Sequence, residues 1–359
     1  MRALVTGANG LIGANLCRAL LRRGAAVRAL VRRTSDLSAI RDLPLELVHG
    51  DVLEPETLLP AAAGCDVVFH AASVFSYWDK TEAELEKVAV EGVSNMLVAA
   101  RAAGVGRFVL TSSSVTCGSS EQTLVRSENE SLPDAEFCPP YFHSKLKQEQ
   151  VALRRAEELD VDLVVVNPCI TVGPHDTRLS PSNAIIVAYL SDPFRTTFAG
   201  GCNIVSVRDV AEGHVLAAER GVRGRRYLLG SENLEWSLIH RIVAELCGVA
   251  PPRLYANHTS GYLAASMHEL WASWTGTRPL TTRAQAKMIG RFYWYSHALA
   301  AADLGYAPGP ARQALAEAVA FLVRSPHVSV ELRRTLALGK EVYDAQIRLN
   351  REAGQAAAR

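Results

Sequence analysis

The sequence predicts an α/β protein built on a doubly wound parallel sheet, with a smaller carboxy-terminal lobe. Three observations predict it. Short apolar runs alternate with helix-length amphipathic stretches through the first half of the chain. The runs lack the in–out alternation of a one-sided sheet, so each strand is expected to be covered on both faces. A glycine-rich turn joins the first run directly to the first helix. Crossovers between parallel strands are nearly always right-handed, which leaves the doubly wound sheet as the economical topology.

Strands are expected at ALVT (3–6), AVRALV (26–31), LELVHG (45–50), DVVFHA (66–71), RFVLTS (107–112) and DLVVVN (162–167). Helical periodicity falls between them. IGANLCRALLRRG carries Ile12, Leu16 and Leu20 on one face, EAELEKVAVEGVSNMLVAARAAG follows, and a third helix opens at YFHSK. These elements make residues 1–167 one unit. Beyond 168 the pattern loosens into loops rich in Pro, Gly, Ser and Asn, with strands at CNIVSV and RRYLLG. Residues 168–325 read as a smaller lobe, with some later segments returning to the first unit, and 326–359 as a helical tail. Leu332, Leu336, Val342, Tyr343 and Ile347 recur at helical spacing in that tail, which suits either packing on the body or an arm between subunits.

A formal net charge of +1 over 359 residues gives no electrostatic reason to expect a nucleic acid as partner. The longest apolar runs, such as AIIVAYL, fall far short of the ~20 residues that span a bilayer, so no integral membrane association is expected. MRALVTGANG enters a strand at once and leaves no room for a signal peptide. Seven cysteines lie at 17, 65, 117, 138, 169, 202 and 247, odd in number and without a C-x-x-C pair. They read as buried reduced thiols of a cytoplasmic protein. The histidines form no ligand-like pair, and no metal site is expected.

Gly7, Gly10 and Gly13 in VTGANGLIG form a G-x-x-G-x-x-G turn between strand and helix. Such glycines allow a tight turn and close approach of a pyrophosphate, while the helix amino terminus offers unpaired N–H groups and a positive dipole end. A dinucleotide is the expected ligand. At the end of the second strand Val31 stands where an acid would bind the ribose 2′-hydroxyl of NAD(H), and Arg32 and Arg33 follow. Two guanidiniums can hold a 2′-phosphate, so NADP(H) is favoured over NAD(H), with Asp36 still available to a ribose.

TGANGLIG, GDV (50–52), FHAAS (69–73), FVLTSSSV (108–115), YFHSK (141–145) and NPCITVGP (167–174) follow one another in an order that resembles a known family. These motifs make residues 1 to about 325 similar to the extended short-chain dehydrogenases/reductases, the NAD-dependent epimerase/dehydratase group with its Rossmann fold. Within it the chain looks most like the dihydroflavonol-4-reductase-like branch and bacterial hopanoid-associated sugar epimerase-type proteins. By that resemblance Ser113, Tyr141 and Lys145 are the catalytic residues, with Ser112 or Ser114 the alternative hydroxyl. The cofactor would lie along Thr6, Gly7, Asn9, Gly10, Leu11, Ile12 and Gly13, with Asp51 and Val52 flanking the adenine. His70, Ala71, Ala72 and Ser73 would follow the phosphates and ribose, with Thr111 and the catalytic Tyr141 and Lys145 further on, and Pro168, Cys169 and Ile170 behind the nicotinamide. Helices near 82–103 and 141–159 match those that pair in homodimeric relatives, so a homodimer is expected. Ala89 departs from the pattern, standing where relatives often carry Asn.

Tyr141 and Lys145 lie one helical turn apart and can share a face. A phenol with a pKa near ~10 must release a proton at neutral pH, and one positive charge about 4 Å away supplies roughly the ~4 kcal/mol that a three-unit shift requires. The expected activity is NADP(H)-dependent reduction of a ketone or aldehyde on an apolar small molecule, or oxidation of the alcohol. An NAD-dependent sugar or sugar-nucleotide epimerase is the alternative, and a dinucleotide-sensing regulator without activity a third reading. SVFSYWDK, the 115–140 loop, LSPSNAIIVAYL and YLAASMHELWASW are candidate walls of the substrate site. The last reads first as a core helix, and otherwise as a pocket wall or a membrane-facing element.

Overall fold

The computed structural model describes residues 1–74, 81–133, 139–277 and 281–357. Its centre is a seven-stranded parallel sheet. In chain order the strands begin with β1 (Arg2–Thr6), β2 (Ala26–Val31), β3 (Glu46–His49), β4 (Val67–His70), β5 (Arg107–Thr111) and β6 (Leu163–Pro168). Burial on both faces follows from their composition. Val109 of β5 and Val164 of β6 join one apolar core, whereas Phe108, Leu110, Leu163 and Val165 join the core on the opposite face. The helices begin with α1 (Leu11–Arg22), α2 (Pro55–Ala62), α3 (Glu82–Glu86), α4 (Gly92–Ala102), α5 (Pro140–Glu158), α6 (Pro181–Ser191) and α7 (Val207–Arg220). α1 packs with α7, while α2 and α5 pack with α4.

Across the sheet the order is β3-β2-β1-β4-β5-β6, completed by Arg226–Leu229 beside β6. The order reverses between β1 and β4, and open α/β sheets bind ligands at such a switch point, outside the carboxyl ends of the strands. Register brings those ends together. Thr6 lies opposite His70, His70 opposite Leu110, and Thr111 opposite Val166.

One sequence reading changes in detail, and two gain their particulars. The stretch 82–104, expected as one helix, is divided between α3 and α4 by a π-turn, Lys87–Glu91, in which Ala89 is buried. RRYLLG is one of the later segments that returns to the central sheet. The tail contains a helix, Lys340–Ala357, that lies on the body: Val342 and Ala345 are fully buried, and Arg208 holds Glu352 through two 2.8 Å hydrogen bonds.

The six described cysteines are buried and free, and Cys138 lies outside the described residues. Burial raises the thiols of Cys17, Cys117 and Cys247 to about 12. Histidines behave in the opposite sense. Burial holds His70 and His175 down to about 3, and His214 and His240 to about 4. Below pH 6.5 the unfolded chain takes up protons that these folded imidazoles refuse, so stability is expected to fall steadily as pH drops from 6.5 toward 3. Urea midpoints measured across that range check this; a flat profile would contradict it.

Candidate active site

The glycine turn is shaped for close backbone approach. Gly7 has φ +67°, and a Cβ there would stand 2.7 Å from the Ala71 carbonyl oxygen. At Gly13 a Cβ would collide with the Gly7 carbonyl, so α1 can begin only if both positions stay bare. Gly10 caps α1 with no side-chain hydrogen bond, which leaves the first N–H groups of the helix open toward the cleft. These features fit a dinucleotide phosphate: an open helix end and a bare turn at the switch point. Leu11 and Ile12, half-buried, start the helix.

Asn9 ties this turn to the segment after β2 by donating from Nδ2 to the Asp36 carbonyl at 3.0 Å. The Asp36 carboxylate accepts from Ser38 N and Oγ, which lowers its pKa, and Arg41 and Arg178 lower it further. Arg32 and Arg33 stand exposed just past β2, and no ion pair engages either of them among the described residues. Asp51 accepts from Leu53 N at 3.0 Å, and Val52 packs against Gly92 of α4. Arg178, absent from the sequence reading, belongs to a strap from the lobe that crosses the turn. Its guanidinium lies 3.4 Å from where a Gly10 Cβ would be. Asn15 donates to Pro174 O at 2.9 Å and so anchors the strap to α1.

Thr6 organises the next segment. Its hydroxyl accepts from Ala72 N at 3.1 Å and lies 3.1 Å from His70 Nδ1, while Ala71 N donates to its carbonyl at 3.3 Å. His70 is wholly buried, with Nε2 unpartnered, so the surface offered to a ligand by this stretch comes from Ala71, Ala72 and the exposed Ser73. The Thr111 side chain turns away from the cleft, its hydroxyl 2.8 Å from His214 Nε2. Its carbonyl instead accepts from Lys145 Nζ at 3.0 Å. Pro168 closes β6, Cys169 N donates to Leu229 O at 3.0 Å, and Ile170 opens a short strand, Ile170–Val172.

The three serines after β5 separate cleanly. Ser112 donates to Glu149 Oε2 at 2.6 Å, and Ser114 lies by the Cys169 thiol and, against the larger effect of burial, lowers its pKa, whereas Ser113 lies by the Tyr141 hydroxyl and lowers that one. Thr111, Ser113, Tyr141 and Lys145 therefore converge where β5 meets α5. Burial raises the Tyr141 hydroxyl to about 12, opposed by Ser113. Burial also brings Lys145 down to about 7, against the pull of Glu149. Lys145 was expected to lower Tyr141 directly; instead Nζ donates to Thr111 O and, at 2.9 Å, to Gln148 Oε1. The low-dielectric site that positions both groups penalises each charged form, and here that penalty dominates.

Glu149 was also missed. It follows Tyr141 and Lys145 at the same four-residue spacing, a carboxylate on the same face of α5. Its oxygens accept from Ser112, from Thr116 at 3.2 Å, from Asn167 at 2.7 Å and from Arg226 at 2.8 Å. One buried carboxylate thus clamps β5, β6 and the edge strand beneath the site. The YFHSKLKQE spacing was the available signal.

Of the candidate substrate walls, residues 75–80 and 134–138 lie outside the described residues. Among the described residues no group of three His, Cys, Asp or Glu is placed to hold a metal.

Comparison with known proteins identifies the family. Residues 3–230 match the NAD dependent epimerase/dehydratase family. A Synechocystis protein named for dihydroflavonol 4-reductase is 33% identical over 331 residues, covering 91% of this chain and 96% of its own. Sterol demethylase protein B of Methylococcus capsulatus is 37% identical over 257 residues, 71% of this chain and 77% of its own. The crystal structure of gox2253 superposes with a TM-score of 0.79 at 36% identity, covering 91% of this chain and 99% of that one. The chain belongs to the NAD-dependent epimerase/dehydratase family and is an enzyme of the extended short-chain dehydrogenase/reductase type.

Proposed function

We propose that the protein reduces a ketone or aldehyde of an apolar small molecule with NADP(H), or oxidises the corresponding alcohol. The placement of Ser113 by the Tyr141 hydroxyl, with Lys145 one helical turn on and bonded to Thr111 O at the carboxyl end of β5, carries this reading. When bound, the nicotinamide supplies or accepts the hydride. Ser113 donates a hydrogen bond to the substrate oxygen, where negative charge develops. Tyr141 delivers the proton that completes the alcohol, and Lys145, when protonated, makes that proton easier to release. Glu149 favours the charged form of Lys145 from below.

NADP(H) over NAD(H) is supported by the neutral Val31, by the exposed Arg32 and Arg33, and by Arg178, which reaches the glycine turn at Gly10 and helps lower the pKa of Asp36. An apolar substrate is in keeping with the flavonoid and sterol names of the two relatives. Fluorescence titration is expected to show NADPH binding more tightly than NADH. Arg32→Ala/Arg33→Ala should weaken NADPH by about tenfold or more, the value of one lost charge-assisted contact, and leave NADH nearly unchanged. Equal loss for both cofactors, or NAD that copurifies in a tight complex, would favour the sugar-epimerase reading instead. The outer surfaces of α4 and α5 would pair two subunits, and a monomeric mass in light scattering at micromolar concentration would count against that.

A further inference from the structure

The helix His258–Thr275 is built the wrong way round for a helix serving only a watery surface. It is well formed, with a capping box between Asn257 and Ser260 and a left-handed Gly276 at its end. Its small residues face the protein: Ala265 and Ala272 are buried, and Gly261 packs against Ile289. Its large apolar residues face solvent. Leu263, Met267, Leu270, Trp271 and Trp274 form one stripe, with Trp271 66% and Trp274 79% exposed. The sequence reading of this stretch as core is therefore overturned. Core packing cannot explain why the bulkiest residues point outward, and such a patch marks an interaction surface.

Charge selects the partner. Between 253 and 287 the chain has four bases (Arg253, Arg278, Arg283, Lys287) against one acid, Glu269, a surplus of three in a protein whose total is +1. The exposed Arg253 and Arg283 lie before and after the helix, and Glu269 bonds Arg283. A second copy meeting the same face would bring like charges together, whereas an acidic lipid surface complements them. From Leu263 to Trp274 the stripe runs about 17 Å along the helix, a length suited to lying flat in the headgroup region. Among the described residues no helix is long and apolar enough to cross a membrane. We propose that the His258–Thr275 helix docks the protein on anionic lipid bilayers, with Trp271 and Trp274 as interfacial anchors.

Flotation of the full chain with vesicles tests this. Equimolar phosphatidylcholine and phosphatidylglycerol vesicles are expected to carry the protein, and phosphatidylcholine alone to carry about tenfold less or lower. Raising ionic strength to about 0.5 M should release much of it, because charges are screened within a few ångströms. Trp271→Ser/Trp274→Ser should lower partitioning by about tenfold or more, while cofactor affinity and the thermal transition stay as they were. Brominated lipids should quench wild-type tryptophan fluorescence and spare the variant. No flotation with acidic vesicles, or flotation untouched by the double substitution, would overturn the proposal. So would a lipid-free dimer that the double substitution converts to monomer, since a second copy would then be the occupant.

Discussion

Tyr141→Phe is expected to lower turnover by about 10³-fold or more while leaving fold and cofactor affinity unchanged. The substitution removes one hydroxyl from a side chain only 7% exposed, and the ring keeps its edge contact with Phe142. What goes is the proposed proton donor, and positioned general acids contribute about 10²–10⁴-fold. Ser113→Ala should cost about 10²–10³-fold, the usual loss when one donor to a developing oxyanion is removed. Lys145→Met should reduce both turnover and cofactor affinity. Lys145 titrates near 7, so ketone reduction should decline as pH rises through that value and Tyr141 loses the neighbouring charge. NADPH consumption at 340 nm against a panel of apolar ketones and aldehydes measures all of these. A Tyr141→Phe enzyme that still turns over an accepted ketone at a comparable rate would remove Tyr141 from the reaction.

The largest stability effect should come from Glu149→Ala. Glu149 is 3% exposed and takes hydrogen bonds from four side chains. Removing it strands the Arg226 guanidinium, whose remaining acceptors are the Glu128 and Glu130 carbonyls, and leaves Ser112 and Asn167 short of an acceptor. Breaking one side of a buried pair typically costs about 3–5 kcal/mol, because the surviving charge stays desolvated. Glu149→Gln keeps the shape and one acceptor and should lose less. Removing Arg226 as well, in Glu149→Ala/Arg226→Met, should recover part of the loss, since the guanidinium is then no longer stranded. Urea midpoints report the series. A Glu149→Ala loss below about 1 kcal/mol, the scale of a solvent-exposed pair, would mean that the pair is already solvated.

Local signals in the sequence determined much of this protein. The six expected strands all occur, because a run such as LVVVN can bury both faces only inside a parallel sheet. The glycine turn was legible because positive φ and close packing require glycine at Gly7 wherever the fold places it. The placing of Tyr141 and Lys145 on one face was legible because a helix brings residues four apart together.

Partners distant in sequence were decided only by the tertiary structure. Arg226 is 77 residues from Glu149, and nothing in RRYLLG announces that its strand closes the central sheet over that carboxylate. Arg178 reaches Gly10 only because Asn15 holds its strap across α1. Even the charge on Lys145 depends on burial, which opposed the simple expectation from its spacing to Tyr141. The sharpest case is the Trp271 helix. Its periodicity states that a large apolar face exists, but periodicity is indifferent to which face meets the body. That choice fell to the small residues Gly261, Ala265 and Ala272, which let the helix lie close and turned the tryptophans outward.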